Sequence, residues 1–376
     1  MSAHANPDII DDGLVFLYDT DDGKSYKGEP TTNLITNSGT SNTGWAGYGW
    51  TGSQAISNDY PNTYEFTATN GWHNRTFDTG VTSGGTIYVT FQYKLKQQQT
   101  TQNQIFVLNG THLGSYTNYI GNGSMSFEWQ TFSGSFTANA NSSKIAIGPR
   151  GQDSSGLTDI VYIRNLQVEQ KPHATPFVNG TRSATQGLLD RTGDRAIDLS
   201  NVSFDSNAEM IFDGTDDYIS IPTYTFGNGS WTLNMWVNVS AFANYNLMSN
   251  SSGGPVANVF GAHGSNPKIF YMNYDGAWKD HYGNLTLTTN NWYFLTWVNY
   301  EGASASAGTM KMYVNGVADS DVFNSYTTNG GPCNVIGKRW GGTSFNGKIS
   351  QVSINTKSLS DPEVLQNYNA TKSRFQ

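Results

Sequence analysis

Charge, cysteine and long apolar runs are all scarce in this sequence. Only 13% of its 376 residues are charged, with 21 Lys and Arg against 29 Asp and Glu, for a formal net charge of −8. The cations are scattered and build no basic patch for a phosphate backbone, which argues against a nucleic-acid partner. No stretch approaches the roughly 18 apolar residues that span a bilayer, which argues against a membrane role. The opening MSAHANPDIIDDG has neither the basic region nor the apolar stretch of a signal peptide. Cys333 is the single cysteine, so an intrachain disulfide is excluded and the chain suits synthesis in a reducing cytosol. Ala, Leu, Glu and Lys, the residues that fill helices, are also few.

What is abundant points the other way. There are 41 glycines and 13% aromatic residues, set among many Asn, Ser and Thr. Segments such as TIYVTFQYKLK (86–96), SFEWQTFSGSFTA (126–138) and DIVYIRNLQVEQ (159–170) alternate apolar and polar residues. Turn residues interrupt them at roughly 8–12-residue intervals, the signal of antiparallel sandwiches. The expected fold class is all-β: two antiparallel β-sandwich (jelly-roll) domains and one short C-terminal helix. That helix lies in SLSDPEVLQNYNATK, where Ser360 and Glu363 form a capping box and Pro362 fits the first turn. Val364, Leu365 and Tyr368 would give it one apolar stripe. Asn315-Gly316 suits a type I′ hairpin turn.

Several segments resemble known families. FDGTDDYISIP, SWTLNMWVNV, MKMYVNG, VIGKRWGGTSFNGKISQVSIN and SLSDPEVLQNYNATK occur in the order seen in laminin-G-like, concanavalin-type jelly rolls. NLITNSG with the Trp-rich stretch after it, FEWQTFSGSFTA and DIVYIRNLQVEQKPHATPF resemble a carbohydrate-binding module of the galactose-binding-like type. The start NPDIIDDGLVFLYDTDDGKSYKGEPTTNLI, the junction ATPFVNGTRS and the ending LQNYNATKSRF resemble virion structural proteins of tailed bacteriophages, especially marine ones. In such proteins the GLVFLYD strand belongs to the jelly roll. The resemblance therefore implies a discontinuous jelly roll (13–30 plus 184–376) and an inserted carbohydrate-binding-type sandwich (31–183), while residues 1–12, short and polar apart from Ile9 and Ile10, read from their position as an N-terminal arm.

Glycoside hydrolysis needs two carboxylates about 5–5.5 or 6.5–9.5 Å apart, and glucanases of this fold set them as alternating acids on one strand. No E-x-D-x-x-E run occurs here, nor H-E-x-x-H, G-x-S-x-G or a P-loop. The histidines share no metal-ligand spacing. A non-enzymatic protein is the expectation.

Sugar binding uses flat aromatic rings, which supply rigid contact area at small entropic cost. Trp45, Tyr48 and Trp50 fall in a Gly-rich turn segment, GWAGYGW, and Trp72 in a similar loop, NGWHN. Tyr274, Trp278 and Tyr282 lie in NYDGAWKDHYGN, and Trp340 in KRWGGTS. Each set has two readings, packing at the end of a sandwich or a carbohydrate-binding platform. Trp231, Trp236, Trp292 and Trp297 sit in apolar strands and read as core.

In EMIFDGTDDYISIP, Asp213 and Asp217, with Asp216, are candidate calcium ligands because laminin-G-like domains often carry one calcium at their loop rim. The other reading is a tight Asp-Gly turn at Asp213-Gly214. Galactose-binding-like modules often hold calcium through an acid in the last strand, and the matching position here is Asn165. The resemblance implies a phage virion surface protein, assembled in the host cytoplasm. Its expected role is a tail-fibre or adhesin-type protein binding host-surface polysaccharide. The alternative is a capsid-exterior decoration or fibre protein bound mainly to other virion proteins. A homo-oligomer, by analogy with fibres a trimer, is implied in either case.

Overall fold

The computed structural model describes residues 8–48, 53–68, 71–72, 74–98, 104–109, 116–120, 125–138, 144–151, 159–193, 196–227, 229–242, 245–250, 256–262, 266–275, 278–301, 308–320, 322–324, 331–339 and 344–375. The chain forms two compact units, Met1–Glu29 with Ser183–Gln376, and Pro30–Arg182. Both are built from antiparallel sheets.

In the discontinuous unit, strand Asn346–Asn355 is the hub of a nine-stranded sheet. Strand Trp231–Val239 runs along one edge of it. Along the other edge, Leu14–Asp19 pairs with its C-terminal half and Met210–Asp213 with its start. A second sheet of seven strands runs from Asp198–Ser200 to Trp278–Tyr282. Leu233, Met235, Val237, Trp297, Phe260 and Ile336 belong to one apolar cluster drawn from both sheets. Burying such side chains contributes about 1.5–3 kcal/mol each.

The first sheet is also covered on its outer face. Helix Asp361–Thr371 begins with Glu363 accepting the Ser360 N–H at 2.7 Å, the capping box read from sequence. Val364 packs with Val298, Tyr313 and Leu359. Leu365 departs from the expected stripe: one residue on from Val364 it is turned about 100° round the helix, and it is 41% exposed. Asn367 takes a buried position instead and accepts the Ile10 N–H at 2.7 Å. Trp236 points out of the sheet into this layer, donating to Thr371 Oγ1 at 2.7 Å and stacking on Phe375 with centroids 4.3 Å apart. Trp231, Trp236 and Trp297 are buried as the strand pattern indicated, while Trp292 is half-buried against Phe375. No helix among the described residues is long and apolar enough to cross a membrane.

The other unit has a six-stranded sheet and a five-stranded sheet, the latter ordered Gln130–Thr137, Thr86–Gln97, Asp159–Glu169, Thr63–Ala68, Ser53–Ile56. Strand Thr86–Gln97 alternates strictly. Ile87, Val89, Phe91, Tyr93 and Leu95 enter the core with Val161, Ile163, Tyr64 and Phe66. Gln92, Lys94 and Lys96 therefore face outward. At Asn165 the backbone turns left-handed (φ 51°) and the register with Thr86–Gln97 shifts between Arg164 and Gln167. Past this bulge the outer face is closed by Thr175, which binds Glu169 and Gln167 at 2.8 and 2.9 Å. Before it, Gln92, Lys94 and Arg164 are half-exposed on that face and Lys96 is exposed, while Tyr162 is buried beneath them.

Candidate functional site

The aromatic residues chosen from loops have mixed fates. Trp45 lies in a strand, Trp45–Tyr48, where GWAGYGW had read as a turn. Gly44 at φ 84° turns the chain into register with Asn74–Asp78, placing Trp45 opposite Phe77. Its ring is 9% exposed, packs on Tyr64 and Phe77 at 5.7 and 5.6 Å, and donates to Tyr64 Oη at 3.3 Å. Trp45 therefore serves the core, and no face of it is left for a sugar. Trp50 and Trp340 lie outside the described residues, as do the side chains of Tyr48, Trp72, Tyr274 and Trp278. Tyr282 ends strand Trp278–Tyr282 opposite Phe270, half-buried, with burial raising its phenol above the usual range.

The Asp213–Asp217 loop joins strands Met210–Asp213 and Tyr218–Phe226. Asp213 Oδ1 accepts the Thr215 N–H at 2.7 Å and Gly214 takes φ 84°, so the Asp-Gly turn is formed. Asp217 is buried and its Oδ2 accepts the Asp213 N–H at 2.7 Å. Asp216 Oδ2 accepts from Asn201 at 2.8 Å. One oxygen from each of the three carboxylates lies within 4.8 Å of the others. Burial pushes Asp217 up to about 6, and the charges of Asp213 and Asp216 add to the rise. Three carboxylates this close repel one another, and a hard cation relieves that repulsion. The donor set fits calcium: Asp213, Asp216 and Asp217 would hold it, with the remaining ligands from carbonyls or water. Asn165 sits in the bulge described above, and its N–H binds the Asn62 carbonyl at 3.0 Å.

A different constellation stands on the open face of the five-stranded sheet. Tyr162 is opposite Lys94 on one neighbouring strand and Glu65 on the other, and Arg164 is opposite Gln92 and Thr63. Trp129, just before strand Gln130–Thr137, and Tyr60, before Thr63–Ala68, complete the group. Tyr60 meets Trp129 and Tyr162 edge-on, each at 5.3 Å. The Lys94 ammonium sits over all three rings at 4.6 Å (Tyr60), 5.1 Å (Trp129) and 5.9 Å (Tyr162), and donates to Tyr60 Oη at 2.8 Å. The Arg164 guanidinium lies 3.8 Å from the Trp129 ring centroid and donates from Nε to Gln92 at 2.7 Å.

Around this group, Tyr162 donates a short hydrogen bond to Asp59. That bond, then Lys96, lowers the Asp59 carboxyl. Lys96 is paired with Glu65 at 2.9 Å and Asp59 at 3.3 Å. The sequence did carry a signal for part of this. Alternation in TIYVTFQYKLK and DIVYIRNL sets Gln92, Lys94, Tyr162 and Arg164 on outer faces. What it lacked was the strand pairing that joins them to Trp129 and Tyr60.

The family comparison bears on the discontinuous unit. Residues 213–365, less than half of the chain, match the family model described as the Concanavalin A-like lectin/glucanases superfamily. Curated proteins give no match. Among solved structures, domain 4 of AbnA, an extracellular arabinanase of Geobacillus stearothermophilus in complex with arabinotriose, is 14% identical over 50% of this chain and 93% of that chain, with a TM-score of 0.40. The binding domain of botulinum neurotoxin serotype D is 17% identical over 50% of this chain and 49% of that chain, TM-score 0.39. The match thus spans about half the length of that neurotoxin domain. A heptameric SAP-like pentraxin from Limulus polyphemus is 16% identical over 42% of this chain and 79% of that chain, TM-score 0.33.

Proposed function

We propose that this is a non-enzymatic glycan-binding protein of a bacteriophage virion surface, of tail-fibre or adhesin type, and that it binds host-surface polysaccharide. The observation that carries the reading is the half-exposed face of Trp129, Tyr60, Lys94, Arg164 and Gln92, underlain by the buried ring of Tyr162. It offers what a sugar needs: ring faces and edges for C–H contact, and amide, hydroxyl and cationic donors for the hydroxyls. The lectin-type match over residues 213–365 supports the same class of ligand. The virion assignment is supported by the resemblance of the opening, the junction ATPFVNGTRS and the ending to tailed-phage structural proteins.

An open face of this kind binds each sugar weakly. Display in many copies would raise avidity by about 10²–10⁴ without any new contact, which suits a fibre. We place calcium at Asp213, Asp216 and Asp217 as a structural ion at the loop rim, outside the glycan face. Immunogold labelling of virions tests the location. Label on tails supports the adhesin, and label confined to heads favours capsid decoration. Glycan-array binding by the full chain tests the activity, and release of reducing ends from a bound polysaccharide would contradict the non-enzymatic reading.

A further inference from the structure

The charges on the open face are not balanced residue by residue. Lys96 is committed to Asp59 and Glu65. Among the described residues, neither Lys94 nor Arg164 makes an ion-pair contact with a carboxylate. Lys94 Nζ donates to a phenol, and Arg164 donates through Nε to an amide. Both are held against aromatic rings, at 4.6 and 3.8 Å from the nearest centroid. Lys94 lies near enough to Asp59 to help lower its carboxyl, but neither it nor Arg164 is ion-paired, so three cations stand against two carboxylates here, on a chain whose formal net charge is −8.

Their placement is specific. Lys94 stands opposite Tyr162, and Arg164 lies two residues further along the same strand. This makes them a diagonal pair, with backbones about 7–8 Å apart. Negative groups on one sugar, or on two adjoining sugars, can meet both. Gln92 holds the Nε edge of Arg164, which leaves the terminal Nη groups to receive a carboxylate or sulfate in the two-pronged geometry a guanidinium favours. The rings beneath keep both side chains from wandering, so less rotamer freedom is lost when an anion binds.

We infer that this face recognises an anionic polysaccharide, with Lys94 and Arg164 reading the negative groups while Trp129 and Tyr60 pack against the sugar rings. The inference rests on the glycan-binding reading and narrows its ligand to uronate-bearing or sulfate-ester polymers. Neutral glycans would keep the ring contacts and the hydrogen bonds to their hydroxyls but gain no charge pairing.

The test is titration calorimetry of the full chain with four polymers: a polyuronate, a sulfated galactan, a neutral glucan and poly-L-glutamate. The expected result is binding of the polyuronate, the sulfated galactan or both, falling as salt rises, with neutral glucan and poly-L-glutamate at least tenfold weaker. Binding of only one charged glycan identifies carboxylate or sulfate as the group read. Arg164→Gln and Lys94→Gln should each lower affinity about tenfold, and Arg164→Lys should fall between wild type and Arg164→Gln. Lys96→Gln, whose charge is already paired, should stay within threefold of wild type. Unchanged melting temperatures confirm that the variants fold, and Arg164→Lys carries the test if Arg164→Gln does not. Equal binding of neutral and charged glycans, unaffected by either Gln variant, overturns the anionic inference and leaves glycan binding standing. Equal binding of poly-L-glutamate overturns it in favour of an acidic protein partner. Absence of binding to all four polymers overturns it together with the function it rests on.

Discussion

Arg374 and Asp19 face each other through two hydrogen bonds of 2.6 Å each, Nη1 to Oδ2 and Nη2 to Oδ1. This fork joins the end of the chain to strand Leu14–Asp19, beside the stack of Phe375 on Trp236. Asp19 is nearly buried and also accepts from Gln351 at 2.9 Å. Removing the guanidinium leaves that carboxylate short of its main partner. Arg374→Ala should therefore destabilise the unit by about 2–3 kcal/mol in urea melts. A loss below about 0.5 kcal/mol would mean that the pair behaves as an exposed one.

Asp217 gives a second prediction, with its sign fixed by its raised value. Folding lifts this carboxyl to about 6, against about 3.9 in an unfolded chain. Between those values the folded state holds a proton that the unfolded state has released. Stability should therefore fall as pH rises from about 4 to 6 and stay lower above that window. Asp217→Asn keeps an oxygen for the Asp213 N–H and should remove this step. Melting in the presence of chelator across that range checks it.

Calcium should act on the same loop in the opposite direction. At neutral pH, an ion at about 100 times its dissociation constant adds about 2.7 kcal/mol to stability. Asp213→Asn, Asp216→Asn or Asp217→Asn should each reduce that gain. Identical melting curves in calcium and in chelator would leave Asp213 and Gly214 with the turn alone.

Cys333 is fully buried, and burial raises its thiol well above the ordinary range. Its reaction with an aromatic disulfide reagent should follow global unfolding and rise with denaturant. Rapid labelling of the native protein would show that the seven-stranded sheet opens locally.

Much of the fold was legible because alternation reports which side chains enter a core. TIYVTFQYKLK became strand Thr86–Gln97 and SLSDPEVLQNYNATK became the capped helix. GWAGYGW misled because glycine usually marks a turn, whereas here Gly44 turns the chain and the following residues pair with Asn74–Asp78. Leu365 misled because adjacent apolar residues on a helix point about 100° apart, and only Val364 faces the sheet.

The open aromatic face was the hardest to read. Tyr60, Lys94, Trp129, Tyr162 and Arg164 come from four separate segments, and each looks ordinary on its own. Sheet register and the Asn165 bulge bring them together and keep the face uncovered. A single sequence states the alternation but not the pairing.

The most direct test of the central claim is glycan binding by the full chain with Trp129 replaced by Ala. Trp129 is half-buried, so its loss should leave the melting temperature within a few degrees. Glycan-array and calorimetric binding should fall severalfold, up to about tenfold, since an aromatic contact of this kind is worth about 0.5–1.5 kcal/mol. Wild-type affinity in both Trp129→Ala and Tyr60→Ala would contradict the account and place any glycan site elsewhere on the molecule.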